Sequence, residues 1–205
     1  GDMTTPCDSA ADCGIFVTCC ADHLEQQMFP VKTCGDRYLA ARSVARGNES
    51  DNWRILAAED GTRITTLPPV VSIPVLNKGE WFDFESQQDF EIHANKPILG
   101  GQFLQAEQAP DPGSHPDDAG TGDPAFILAV PLSQFREDYV FLAPNKYEFD
   151  YVNIIAPRDA TVEFDGSALR STQFEVFGTG EFKVARFLIQ DGVHNILSSE
   201  PASVI

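Results

Sequence analysis

A long series of short apolar or alternating stretches, separated by turn sequences, most constrains the fold of this chain. Asp60-Gly61, Asn77-Lys78-Gly79, Asn95-Lys96-Pro97 and Asp165-Gly166 are the clearest of these turns. No long stretch repeats its apolar residues at the 3.6-residue period of a helix. The sequence therefore predicts an all-β fold. The predicted strands are YLAARSV, WRILAAE, TRITTL, EWFDFES, FEIHA and PILGGQFLQ in the first half, and YVFLAP, YVNIIAP, TVEFDG, FEVFG, EFKVARFLI and HNILSS in the second.

The two halves of the chain resemble each other in a fixed order. The matching pairs are DRYLA with EDYVF, ILAAEDGTRI with IIAPRDATVEF, NKGEWFDF with GTGEFKVA, and FEIHANKPILG with HNILSSEPASV. The members of each pair lie about 100 residues apart, the length of an immunoglobulin-like module. We therefore predict two tandem related β-sandwich units, at residues 35–105 and 125–205, behind a short Cys-rich N-terminal segment.

Residues 106–124 between the predicted units are acidic and rich in proline and glycine, which is typical of a linker or a long surface loop. The carboxylates in this segment are the hard oxygen ligands that Ca²⁺ prefers, although their spacing matches no known calcium loop. Calcium binding and a simply solvated loop are therefore both open. The candidate ligands are Asp111, Asp117, Asp118 and Asp123.

All five cysteines lie within residues 1–34: Cys7, Cys13, Cys19, Cys20 and Cys34. We expect a disulfide clasp, in which the adjacent Cys19 and Cys20 pair with different partners, and hence an oxidising compartment. Cys20 and His23 also offer zinc ligands, but the paired C-x-x-C spacing of strong zinc sites is absent. Free or intermolecular thiols are the third alternative.

Charge and motifs narrow the function classes. The 205 residues carry 31 acids against 14 bases, a net charge of -17, which argues against binding to nucleic acid or anionic lipid. The sequence contains no run of 18 or more apolar residues, so it predicts no membrane-spanning helix. Nucleophile-elbow, zinc-protease and phosphate-loop motifs are absent, so we predict no enzyme, with a carboxylate-pair glycosidase as the weakest alternative. His93 and His194 are expected to serve packing and hydrogen bonding.

Aromatic residues cluster on the predicted strands, among them Trp53 and Trp81 of the first unit, and we expect most of these aromatics in the cores. The stretch NKYEFDY alternates aromatic residues with acids, so its aromatics form a possible exposed binding strip: Tyr147, Phe149 and Tyr151. Asn48 begins an N-glycosylation sequon, Asn-Glu-Ser.

Several stretches of the chain resemble the IgGFc-binding protein N-terminal domain family, in particular its bacterial cell-surface members. They include CCADHLEQQMFPVKTCGDRYLAARS, ILAAEDGTRIT, NKGEWFDF, KPILGGQFL, GDPAFILAVPLSQFREDYVFLAPNKYEFDYVNIIAP and DGVHNILSSEPASVI. The resemblance implies a β-rich extracellular or cell-surface module with a binding or adhesive role and no known catalysis. Two departures are Cys34, where the family usually has tryptophan, and an end at Ile205, where the family continues into another strand. The second unit is therefore expected to be truncated.

Taken with the residues, this resemblance favours an extracellular or cell-surface binding and adhesion module that recognises a protein or a glycan. It needs no cofactor unless calcium binds the acidic loop. The alternative is an architectural unit of a larger extracellular assembly, which oligomerises through exposed strand edges or completes its last edge with a partner chain.

Overall fold

The computed structural model describes residues 24–105, 124–147 and 149–205, and their regular structure is almost entirely antiparallel strand. The all-β prediction is confirmed; helical turns in the described residues are the short 3-10 segments Val31–Thr33, Leu132–Gln134 and Ser171–Gln173. The first unit contains β1 (Gly35–Ala40), β2 (Asp51–Ala57), β3 (Ile64–Leu67), β4 (Trp81–Ser86), β5 (Phe90–Leu104) and β6 (Ala125–Leu128). The second contains β7 (Arg136–Ala143), β8 (Asp150–Pro157), β9 (Val162–Phe164), β10 (Ser167–Ala168), β11 (Phe174–Phe177), β12 (Phe182–Ile189) and β13 (Gly192–Val204).

In the first unit the long strand β5 belongs to two layers. Residues 90–94 pair with β1 and β3, whereas residues 98–104 pair with β2 and β6, and β2 pairs in turn with β4. The turn predicted at Asn95-Lys96-Pro97 is wrong, because the chain continues there as strand. Pro97 lies where β5 leaves one layer for the other, so its missing N–H costs little ladder pairing.

The second unit repeats this topology with β13 in the place of β5. Residues 192–198 of β13 pair with β7 and β9, and its last residues pair with β8, which pairs in turn with β12. The hairpins differ: β10 and β11 are additions to the second unit, and β6 is an addition to the first. The strand β6 falls within the range predicted for the second unit but pairs with β5 of the first sheet.

Two tyrosines mark the equivalence of the units. The Tyr38 hydroxyl accepts the Gly35 N–H at 3.2 Å and donates to the Ile98 carbonyl at 2.5 Å. The Tyr139 hydroxyl accepts the Arg136 N–H at 3.2 Å and donates to the Ala202 carbonyl at 2.7 Å. In both units the accepting carbonyl directly follows the proline of the long strand. Burial raises the pKa of Tyr38 to about 12, so this hydroxyl stays protonated as a donor.

Each unit encloses its own apolar core between the two layers. In the first core Trp53 packs edge-on against Phe90, with ring centroids 5.3 Å apart. Ile154 and Ile196 lie at the centre of the second core and are fully buried. Because inward residues alternate with outward ones, Arg54 and Leu56 face away from the first core, and Asn153 and Ile155 face away from the second.

The two units meet face to face along a third apolar cluster, which we call the seam. The first unit contributes Leu39, on the outward face of β1, and Ala41, which directly follows β1. The second unit contributes outward side chains of its β8–β12–β11 layer, chiefly Ile155, Phe182 and Val184. The outward faces of two related sheets are thus buried against each other.

A fully buried carboxylate, Glu91, ties the seam together. One oxygen accepts the Thr179 N–H and hydroxyl, both at 2.6 Å, across the seam. The other is 2.9 Å from Arg37 and 2.8 Å from His93, and Arg37 also reaches Glu181 of the second unit at 2.7 Å. Burial alone would raise the pKa of Glu91, but the hydrogen bonds from Thr179, His93 and Arg37 outweigh it and lower the pKa to about 2.

His194 stands in the second unit where Phe90 stands in the first, and both of its ring nitrogens face acceptors. Nδ1 is 2.7 Å from the Asp165 carboxylate and Nε2 is 2.6 Å from the Gln190 carbonyl. The ring therefore satisfies both acceptors only as the doubly protonated cation. The Asp165 hydrogen bond, followed by that to Gln190, accordingly raises the pKa of His194.

We expect the Glu91→Gln variant to lower the free energy of unfolding by about 3 kcal/mol, because it leaves Arg37 without its buried charge partner. The loss should shrink as pH falls from 4.5 towards 2, since the wild-type carboxylate is then protonated as well. Urea unfolding at several pH values measures both effects. Glu181→Gln is the matched control: its exposed carboxylate should contribute less than about 1 kcal/mol. An unchanged E91Q protein would contradict this role of Glu91.

His194 should make stability depend on pH in the opposite sense. Its contribution is complete below the ordinary histidine pKa of about 6.5 and is lost as pH rises through the raised folded pKa. The His194→Phe variant carries the same residue as the equivalent position of the first unit, Phe90. In this variant that part of the pH dependence should vanish. Unfolding free energies of both proteins across neutral to alkaline pH give the comparison. Parallel curves for the two proteins would rule out the charged state.

Candidate functional site

A concave groove on the outward face of the β4–β2–β5–β6 layer is a candidate binding site. It has a volume of about 240 Å³. The strand register explains its position: Trp81 lies beside Leu56, Leu56 beside Leu99, and Gly101 lies between Arg54 and Leu128. Two neighbouring rows of outward side chains from these four strands therefore line it, together with Met28 from the segment before β1. The lining residues are Met28, Arg54, Leu56, Trp81, Leu99, Gly100, Gly101, Phe126 and Leu128.

Gly101 gives the groove its floor. A Cβ atom at Gly101 would lie 2.5 Å from the ring of Phe126, so only glycine lets this ring lie against the backbone. The Phe126 ring stacks on Phe103 with centroids 4.5 Å apart and planes inclined by 10°. Gly101, although unfavourable for strand propensity, thus makes room for an aromatic ring, and a Cβ atom at the neighbouring Gly100 would lie 3.2 Å from that of Ala129.

Arg54 is fixed at the rim of the groove by a bidentate ion pair. Its Nε and one terminal nitrogen each lie 2.7 Å from an oxygen of Asp83 on the adjacent strand. This hydrogen-bonded pair lowers the pKa of Asp83 and raises that of Arg54, so both stay charged. The guanidinium also lies over the rings of Trp81 (5.8 Å) and Phe103 (5.4 Å). Because Asp83 neutralises Arg54, the described residues of the groove carry no net charge.

Trp81 is the prominent exposed residue of the site and an exception to the core positions predicted for most of the strand aromatics. Its side chain is 59% exposed, whereas Trp53 on the neighbouring strand is buried. Alternation on β4 decides this: Phe82 and Phe84 point into the core, so Trp81 points out. Among the described residues that line the groove, only Arg54 and Trp81 carry side-chain N–H donors, and none carries a carboxylate. This described lining can bind apolar surface.

The predicted strip of Tyr147, Phe149 and Tyr151 is exposed, as binding would require. It lies before and at the start of β8, far along the chain from the groove residues, and none of its members lines the groove. Its role in binding stays a prediction.

Most of the other predicted sites lie outside the described residues. This applies to Cys7, Cys13, Cys19 and Cys20, to His23, and to the candidate calcium ligands Asp111, Asp117, Asp118 and Asp123, so the disulfide, zinc and calcium hypotheses stay predictions. Cys34 is half-buried, which raises the pKa of its thiol. Asn48 is exposed on the turn region between β1 and β2, and its glycosylation stays a prediction.

Comparison with known proteins identifies one family. A family model described as IgGFc binding protein matches residues 8–205. No curated protein and no solved structure matches the chain. Within the described residues, no helix has both the length and the apolar character needed to cross a membrane.

The close approach at Gly101 predicts a specific mutational coupling. Gly101→Ala should destabilise the protein by about 1–3 kcal/mol, because the new methyl group overlaps the Phe126 ring. In a Phe126→Ala background the same substitution should cost little. Unfolding free energies of the four proteins in this double-mutant cycle give the coupling. Additive effects would mean that Phe126 does not lie on Gly101.

Proposed function

Because the chain belongs to the IgGFc-binding protein family, we propose that it is an extracellular, non-catalytic module that binds a protein partner through the groove around Trp81. The family is a binding family whose members are typically extracellular or secreted, and this supports the proposed location. The observation that carries the proposal is an exposed tryptophan beside an apolar groove and a fixed arginine.

The chemistry of the groove favours a protein partner over a glycan. Tryptophan and arginine are the side chains most enriched among residues that dominate binding energy at protein interfaces. A sugar would stack on Trp81 but also needs polar side chains for its hydroxyl groups, and Asp83 already occupies two donor positions of Arg54. An apolar protein surface needs no such groups and suits a groove without net charge.

The architectural alternative also has support on the surface of the second unit. Exposed aliphatic side chains on β7 and β13 form a patch of the kind that marks an interaction surface. Adhesion and assembly are compatible roles for one molecule, since the patch and the groove lie on different units.

Binding assays with Trp81→Ala test the proposal. Probes are the Fc fragment of immunoglobulin G, which the family's name supplies, together with arrays of extracellular proteins and of glycans. We expect at least one protein probe to bind the full chain, and the W81A variant to bind it about 30-fold more weakly, the loss typical of a dominant interface residue.

Tyr147→Ala is the matched control, because it removes an equally exposed aromatic ring outside the groove. Its binding should equal that of the wild type. Loss of binding in Y147A but not in W81A would assign the site to the aromatic strip instead. Trp81-dependent binding to glycans alone would overturn the protein-binding proposal.

A further inference from the structure

The second unit exposes an unusually apolar sheet face. Four aliphatic side chains point outward from β7 and β13 and are between 50% and 75% exposed. Leu142 lies directly opposite Val193 in the strand register, and Val140 and Leu197 extend the same surface. We call these four residues the aliphatic face.

Strand register makes the aliphatic face the counterpart of the first unit's side of the seam. Aligning Tyr139 with Tyr38 places Val140 at Leu39 and Leu142 at Ala41. Both Leu39 and Ala41 are buried by the second unit, whereas their counterparts are bare. The long strand β13 corresponds in the same way to β5 and the residue before it. Val193, Asn195 and Leu197 of the second unit are the counterparts of Asp89, Glu91 and His93 of the first.

The groove is, by the same register, the counterpart of the second unit's side of the seam. Ile98 and Ala202, whose carbonyls accept the two tyrosine hydroxyls, are equivalent residues of the long strands. With these two residues aligned, Leu56 of the first unit corresponds to Ile155 of the second, and Trp81 corresponds to Val184. Ile155 and Val184 are buried in the seam. The groove of the first unit and the aliphatic face of the second unit are therefore the free counterparts of the two surfaces that pack against each other in the seam.

We propose that the groove of one chain docks on the aliphatic face of a second copy, so that the seam inside each molecule is repeated between molecules. This inference rests on the proposed protein-binding role of the groove and names its partner. By the equivalence, Leu56 and Trp81 of one copy pack on Val140 and Leu142 of the next, as Ile155 and Val184 pack with Leu39 and Ala41 in the seam cluster.

Polar groups at the edge of the two surfaces also correspond. Across the seam Arg37 pairs with Glu181 at 2.7 Å. In the second unit Asp138 is the counterpart of Arg37. Continuing the β4 register makes Lys78 of the first unit the counterpart of Glu181. Lys78 of one copy could therefore pair with Asp138 of the next, with the positions of the two charges exchanged. The amide of Asn153 donates to the Arg42 carbonyl across the seam at 3.0 Å, and Arg54 supplies a donor at the equivalent position.

The two surfaces differ and lie on different units, so the contact is head-to-tail. Such heterologous contacts form rings if the rotation closes and open chains if it does not, and a molecule with one surface destroyed can only cap the other. This property distinguishes the proposed contact from a symmetric dimer.

Sedimentation velocity over a wide range of concentration tests the proposal on the full chain. The wild type should associate beyond the dimer as concentration rises. The Val140→Lys/Val193→Lys variant loses the aliphatic face and Trp81→Ala loses the groove centre, so each alone should self-associate at least about 30-fold more weakly. Val176→Lys, a substitution at an exposed valine on β11 outside both surfaces, should behave as the wild type.

A mixture of V140K/V193K with W81A decides the matter, because each variant keeps one intact surface. It should form a one-to-one heterodimer and nothing larger. Circular dichroism and the unfolding temperature confirm that both variants fold. A monomeric wild type, unchanged association in either variant, or a mixture without heterodimer would overturn the inference. A monomeric wild type that still binds a protein probe through Trp81 would leave the proposed function standing.

Discussion

Burial of one sheet's outward face against another is the constraint on which this structure depends. Each unit already has a core between its layers, so the seam is a third apolar interior added on the outside of both. At its edge Glu91 is fully buried and bonded to the second unit through Thr179, which makes the relative position of the units specific. Without this docking, Leu39, Ile155 and Val184 would be exposed.

The repeat gives each unit the same two outward faces but different side chains on them. Where the faces are joined, the sequence places Leu39 and Ala41 opposite Ile155 and Val184. Where they are free, it still places valine, leucine and tryptophan, although exposed positions on a solvated sheet normally carry polar residues. Retention of apolar side chains on both free faces is the physical basis for assigning them to binding.

Strand alternation and turn chemistry made much of the fold predictable. Three of the four sequence matches between the halves have the register found in the structure, including Ile55 with Ile154 and Phe90 with His194. The fourth, at β4 and β12, is displaced by two residues. The groove could not be predicted, because alternation along a strand shows which side chains share a face but not which of the two faces is buried. Trp81 stands next to two inward phenylalanines and resembles a core residue in the sequence. The glycine that admits Phe126, Gly101, does not by itself indicate a binding surface.

The central claim is that equivalent faces of the repeated unit dock in equivalent ways, and fluorine NMR of protein labelled with fluorotryptophan tests it most directly. The chain has two tryptophans, one buried in the first core and one in the groove, so each reports on a single environment. With rising concentration the Trp81 resonance should shift or broaden while that of Trp53 stays fixed, and V140K/V193K should abolish the change. A Trp81 resonance that is insensitive to concentration, or that changes equally in the variant, would contradict the account.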